Sequence, residues 1–350
     1  MQTLFSRPLR RCVAGLTRCL TRRLTRRLTV TLATSLTAGL MMSLAAGPAH
    51  ATYPDKAIQF VSPYAAGGAN DYLTRLMAQH MAAALKANIV VDNRAGANGI
   101  VGAGYVAKAA PDGYVVLMGN SATHGTNPTL YKNLSYDPDK DFAPVGMVGS
   151  VPIVLAVNAK LGVNSVAELI AYGKSHPGQL SFGSSGVGGT GHLAGEAFKA
   201  ATGLDMVHVP YKGDAPAAAD AMGGQVQMAF VGVASAAPLV ASGRIKIIAV
   251  ASAQRAASLP DVPTMAQAGY KDIVFAQWYA LFTRAGTPQP VIDTLNAATR
   301  TVLEQPDVRK SMATQGAEPT YMTPAQLDRF YKAEIRRFAE IIHKLAIKTE

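Results

Sequence analysis

Short runs rich in Val, Ile and Phe alternate with longer stretches whose apolar residues recur at helical spacing along residues 57–282. The short runs, at 57–61, 89–91, 114–118, 151–157, 180–182, 206–209, 227–230, 245–250 and 273–282, predict strands. Between them, stretches such as 72–77, 98–110, 166–174, 192–201 and 215–222 predict helices. This alternation points to an α/β fold on largely parallel sheets. Near residue 288 the pattern changes to three successive helices, at 288–303, 307–315 and 324–346. Pro288, Pro306 and Pro324 sit near their starts, where a missing N–H costs nothing.

The first 51 residues follow another logic. They hold eight arginines and no lysine or acidic residue, then an apolar run at 28–46, then Ala49-His50-Ala51. Basic region, apolar region and small-residue site in that order form a secretory signal peptide, with cleavage expected before Thr52. Interruption of the run by Thr29, Thr31, Thr34, Ser35, Thr37 and Gly39 argues against a membrane anchor. The whole chain carries 33 basic and 22 acidic residues; without the eight arginines 25 basic remain, a net charge of about +3. The nominal charge of +11 is therefore mostly export signal and gives no reason to expect nucleic acid as a partner. Both cysteines, Cys12 and Cys19, leave with the same segment, so the exported protein has no thiol or disulfide chemistry. About 300 residues remain, a length that favours two lobes.

Three polar loops follow predicted strands, the position that surrounds the ligand crevice of open α/β sheets. The first is Pro63-Tyr64-Ala65-Ala66-Gly67-Gly68-Ala69-Asn70-Asp71. Its adjacent glycines allow close backbone approach, and the helix after it points unpaired N–H groups and its positive dipole end into the same space. Such a turn seats a carboxylate or phosphate without a lysine or arginine. Read more simply, it is a tight turn with Asn70 or Asp71 as the N-cap; Asp214 also reads as a cap. The second loop, from Gly183 to His192, offers Ser184, Ser185, Gly186, Gly188, Gly189 and Thr190. Its formal G-x-G-x-x-G lacks an acidic residue after the next strand, so no dinucleotide cofactor is expected. The third, 120–128, brings Ser121, Thr123 and His124. No G-x-S-x-G elbow and no H-E-x-x-H or similar spacing occurs, so neither catalytic residues nor a metal site are expected.

Taken together, the segments Tyr53-Pro54-Asp55-Lys56, residues 63–71, Asp92-Asn93-Arg94-Ala95-Gly96-Ala97-Asn98-Gly99, Pro111-Asp112-Gly113-Tyr114, Val209-Pro210-Tyr211-Lys212-Gly213 and Ala285-Gly286-Thr287-Pro288 occur in a characteristic order. In this the chain resembles the extracytoplasmic solute receptors of tripartite tricarboxylate transporters, the Bug receptors, over about residues 53–347. The resemblance implies a Venus-flytrap fold of two α/β lobes with a small carboxylate between them. It places that carboxylate on Ala66, Gly67 and Gly68 and on the loop from Ser184 to Thr190. It further implies a periplasmic, monomeric binding protein that serves membrane permease subunits, with no cofactor. The expected crossings between lobes are 151–158 and 273–282, giving lobe one as 52–153 plus 271–350 and lobe two as 154–270. Tyr64, His124, Tyr211 and Trp278 are expected to shape the inner wall. Two departures stand out: Tyr64 where relatives often have phenylalanine, and Val231-Gly232 where many have an acidic residue after the aromatic. The second counts against an amino-acid ligand. A periplasmic sensor is the alternative reading, and an exported hydrolase using Ser184 or Ser185 with a distant histidine is another.

Overall fold

The computed structural model describes residues 53–348, so the expected export segment lies outside the described residues. Its first part runs β1 (Ile58–Ser62), α1 (Ala69–Leu85), β2 (Ile89–Asn93), α2 (Ile100–Val106) and β3 (Val115–Asn120). Here β1 lies between β2 and β3 and pairs in parallel with both. Then comes β4 (Phe142–Asn158), a 17-residue strand much longer than the apolar run that predicts it. Glycines and a proline interrupt the apolar pattern of its first half. Register shifts occur there between Pro144 and Gly146 and between Met147 and Gly149. Gly149 is needed for space: a Cβ on it would lie 2.6 Å from the Glu318 carbonyl oxygen, where β10 (Glu318–Pro319) crosses.

The second part contains α4 (Val166–Ser175), β5 (Leu180–Ser184), α5 (Thr190–Thr202), β6 (Met206–Pro210), α6 (Asp214–Gly223), β7 (Met228–Gly232), α7 (Val233–Val240) and β8 (Ile245–Val250). A four-residue helix, α3 (Asn127–Leu130), precedes β4. Strand β5 pairs in parallel with β6 and β7, but β7 and β8 run antiparallel to Ile153–Asn158 of β4. The returning strand β9 (Ala276–Arg284) is antiparallel to β3 and to β4 from Phe142 to Pro152. The expectation of largely parallel sheets is thus corrected. The sheet is mixed, ordered β2-β1-β3-β9-β4-β7-β5-β6 with β8 and β10 also on β4. Strands β4 and β9 run antiparallel to every strand they pair with.

The result is a two-lobed α/β architecture in which β4 pairs with β9 along Phe142–Pro152 and with β7 and β8 along Ile153–Asn158. The chain closes with α8 (Gln289–Glu304), α9 (Pro306–Thr314) and α10 (Pro324–Lys344). Helix α10 starts at a capping box between Thr323 and Gln326 and spans about 30 Å. Its Leu327 and Tyr331 pack with Val61, Leu117 and Phe282. Further along, Phe338 and Ile342 join the cluster of Phe182, Phe198 and Phe230. No helix among the described residues is long and apolar enough to cross a membrane.

Candidate functional site

Three helices begin at one cavity. At α1 the N-cap is Gly68, at α5 it is Gly189 and at α6 it is Gly213, and no side chain caps any of them. Each helix leaves first-turn N–H groups pointing outward and adds the positive end of its dipole. Gly68 and Ala69, Gly189 and Thr190, and Gly213 and Asp214 all line the same cavity of about 300 Å³. Tyr64, Ala66, Asn70, Ser121 and Ser185 complete much of its wall. An adjoining space of about 490 Å³ shares Tyr64, Ser185 and Lys212 and adds Gly186, Tyr131 and Tyr211. Such a place attracts anions through backbone donors, and Lys212 stands in the same wall.

Not every glycine amide in the loops is free. The Gly67 N–H donates to Asp71 Oδ2 at 3.0 Å, that of Gly188 to His192 Nδ1 at 3.0 Å, and that of Gly189 to the Gly186 carbonyl at 3.1 Å. Gly67 (φ 91°) and Gly188 (φ 77°) make the turns and face inward to their own loops. The donors that face the cavity therefore belong to the first turns of the helices. Asp71 does not line it. Its buried carboxylate ties the turn together, accepting from Gly67, from Arg75 Nε at 3.0 Å and from Asn93 Nδ2 at 2.8 Å. Burial alone would raise its pKa, but those hydrogen bonds outweigh it and hold the carboxyl below its ordinary range. Asn70 is not a cap either. It accepts from Ser62 Oγ at 2.9 Å and donates to the Met118 carbonyl at 3.0 Å, locking the start of α1 to β1 and β3.

The two sides of the cavity touch through hydroxyls, Ser121 Oγ to Thr190 Oγ1 at 2.8 Å. Tyr64 places its hydroxyl 3.5 Å from Asn120 Oδ1 and 3.4 Å from the Asn98 carbonyl. Tyr211 lines the second space while its hydroxyl donates to Asp220 Oδ2 at 2.9 Å.

Thr123, His124, Ser184 and Trp278 lie away from the cavity wall. A π-helical turn at Ala122–Thr126 tucks this loop inward, and all five residues are buried. His124 stacks on Phe282 with ring centroids 3.9 Å apart and meets Phe142 edge-on at 4.6 Å. Thr123 Oγ1 accepts from the Asn120 N–H at 2.9 Å. Trp278 is displaced by the pleat of β9: with Ala280 and Phe282 it faces the aromatic cluster, where its Nε1 donates to Glu334 at 3.2 Å. Gln277 and Tyr279, on the opposite face, line the cavity instead. Besides those two, Asn98, Asn120, Lys212 and Asp214 line it without having been singled out, although Asn120 opens the third polar loop, Asn98 and Lys212 lie in the motifs and Asp214 has a cap-like place.

Ser184 Oγ lies 2.7 Å from His208 Nε2, a spacing that resembles a nucleophile and base. The hydroxyl is fully buried and also donates to the Gly186 carbonyl at 3.2 Å. His208 stacks on His192 at 3.9 Å, and no carboxylate among the described residues hydrogen-bonds it. Burial and then His192 push its pKa to about 3, too low for a base at neutral pH. Among the described residues no group of three or more His, Cys, Asp or Glu is placed to hold a metal ion.

The buried histidines predict acid sensitivity. Burial holds His124 and His208 at about 3 and His192 at about 4, against 6.5 when unfolded. Between those values the unfolded chain binds more protons, so stability is lost as pH falls through 6.5 toward 3. His124 alone contributes a loss of about 2 kcal/mol between pH 8 and pH 5. The melting temperature is expected to decline across that range; a flat profile would contradict the buried neutral imidazoles.

Comparison with known proteins adds a family. The profile described as "Tripartite tricarboxylate transporter family receptor" matches residues 73–347. Protein BugT of Bordetella pertussis is 36% identical over 306 residues, covering 87% of this chain and 94% of its own. Rpa4515 of R. palustris, solved with adipate, is 35% identical with a TM-score of 0.82, over 85% of this chain and 99% of that one. MatC from Rhodopseudomonas palustris, solved with bound malate, is 32% identical with a TM-score of 0.77, over 83% of this chain and all of that one (100%).

Proposed function

The chain belongs to the tripartite tricarboxylate transporter receptor family, and from that premise we propose that it is a periplasmic solute-binding protein. It captures a small carboxylate and delivers it to the membrane permease of such a transporter. The observation that carries this reading is the convergence of three uncapped helix N-termini on one cavity. Adipate in one relative and malate in another supply the ligand class. In this reading first-turn amides of α1 and α5 hold the ligand carboxylate, with Ser121, Ser185 and Thr190 beside them and Tyr64 over the top. Tyr211 and Gly186 border the adjoining space.

The lobes are residues 52–153 with 271–350, and 154–270. Strand β4 passes from β9 to β7 and β8 between Pro152 and Ile153, and β9 begins at Ala276 opposite Pro152. These crossings serve as hinges, and closure about them encloses the solute. The test is a thermal-shift screen of the exported protein against mono-, di- and tricarboxylates. A ligand at about a hundred times its Kd adds roughly 2.7 kcal/mol, which is a Tm rise of several degrees. A screen in which no carboxylate raises Tm would overturn the proposal.

A further inference from the structure

Beside the cavity, and outside its wall, the two lobes interlock. Helix α3 ends at Leu130, a residue of lobe one that is 6% exposed. This side chain joins the buried cluster of Phe182, Leu193 and Phe198, all three from lobe two. It covers Gly188 in the second glycine loop: a Cβ on Gly188 would lie 2.1 Å from Leu130 Cδ1. The φ of Gly188, 77°, already favours glycine, and the leucine leaves no room for a larger residue. A second contact crosses between the same two loops' neighbours, the hydroxyl pair of Ser121 and Thr190 at 2.8 Å. Neither Leu130 nor Gly188 lines either of the two spaces of the site.

The leucine is mounted rigidly on lobe one. Asn127, fully buried at the start of α3, exchanges two hydrogen bonds with Asn98. Its Nδ2 donates to the Asn98 carbonyl at 3.0 Å, and Asn98 Nδ2 donates to its Oδ1 at 3.0 Å. In the turn just before, the Thr123 carbonyl accepts from the Tyr136 hydroxyl at 2.7 Å. Leu130 therefore cannot follow Gly188 when the lobes part, and their contact belongs to the closed arrangement alone. Burying an apolar side chain there favours closure whatever solute is bound. A wall residue would discriminate between solutes; this contact acts on an equilibrium that all of them share.

We propose that Leu130 is an interlobe latch, a positioning residue that docks on Gly188 and draws the lobes together before any solute arrives. This rests on the lobe division and the receptor reading above. The apparent affinity for each solute is then its intrinsic affinity scaled by the fraction of protein that is closed.

Interlobe distances in the exported protein test it. Residues 52–350 contain no cysteine, so Ala84→Cys on α1 and Ala171→Cys on α4, both exposed, carry the only two spin labels. Pulsed electron resonance without solute should give longer distances in Leu130→Ala than in the wild type. The closed-to-open ratio should fall about 10- to 100-fold, the effect of exposing a leucine side chain. Leu130→Met, long enough to reach Gly188, should restore most of the short distances. Calorimetry with succinate, adipate, malate and citrate should show every affinity weakened by one common factor, equal to the loss of closed fraction, with their order unchanged. If Leu130→Ala does not fold, Gly188→Ala reads the same contact from lobe two, because its methyl must push the leucine away and lengthen the distances. Unchanged distances in the folded variant, or an affinity loss that differs from probe to probe, overturns the latch and leaves the receptor reading intact. Binding of no carboxylate overturns the receptor reading, while the distances still decide the latch.

Discussion

Replacing Gly68 with valine is expected to remove ligand binding while leaving the fold in place. The backbone at Gly68 is extended, with φ −89° and ψ 173°, a conformation that valine adopts readily. A Cβ there meets no protein atom within 4 Å. The branched side chain therefore enters open space at the start of α1, the place assigned to the ligand carboxylate. Affinity should fall at least about a hundredfold, roughly 2.7 kcal/mol. The melting temperature without ligand should change little, because no native contact is lost. Calorimetry and a thermal melt on the same preparation read both quantities. Undiminished affinity in folded Gly68→Val would count decisively against an amide seat at this turn. Gly67 makes a useful contrast: at φ 91° valine is strained, so Gly67→Val lowers stability as well as affinity.

Gly191→Ala is expected to have the largest effect on stability of any single methyl added around the site. Its Cβ would lie 2.0 Å from the Phe230 carbonyl oxygen and 3.0 Å from the carbonyl carbon. Both are backbone atoms of β7, which cannot rotate aside as a side chain can. The first turn of α5 must then move off the strand, taking Gly189 and Thr190 with it. Overpacking of this kind costs about 3 kcal/mol or more, near 6 °C in Tm for a chain of this length. Scanning calorimetry against the wild type reads it. A Tm within about 1 °C would show that α5 does not lie against β7 as described.

How much of this was legible in the residues differs from element to element. Runs such as 245–250 and 180–182 become β8 and β5 because their apolar side chains leave no other good use for them. The proline-led helices of the last third appear within a residue or two of where their periodicity places them. The glycine loops before α1 and α5 reach the cavity through Gly68 and Gly189, as their chemistry suggests. The resemblance drawn from six short motifs agrees with the family match. By contrast, the inward turn of Thr123 and His124 depends on aromatic partners such as Phe282 and Tyr331, more than 150 positions along the chain.

The sequence by itself determined the kinds of elements, the two glycine-rich helix starts and the family, because these depend on neighbours a few positions apart. Only the tertiary structure decided strand direction, which face of β9 meets the cavity, and which amides stay free. It alone brought Asp214, Gln277 and Gly232 within hydrogen-bond distance. The physical reason is that pairing and burial are settled between residues distant in the chain. A carboxylate such as Asp214 reads as a helix cap until the fold shows it accepting from Gln277 and from the Gly232 N–H.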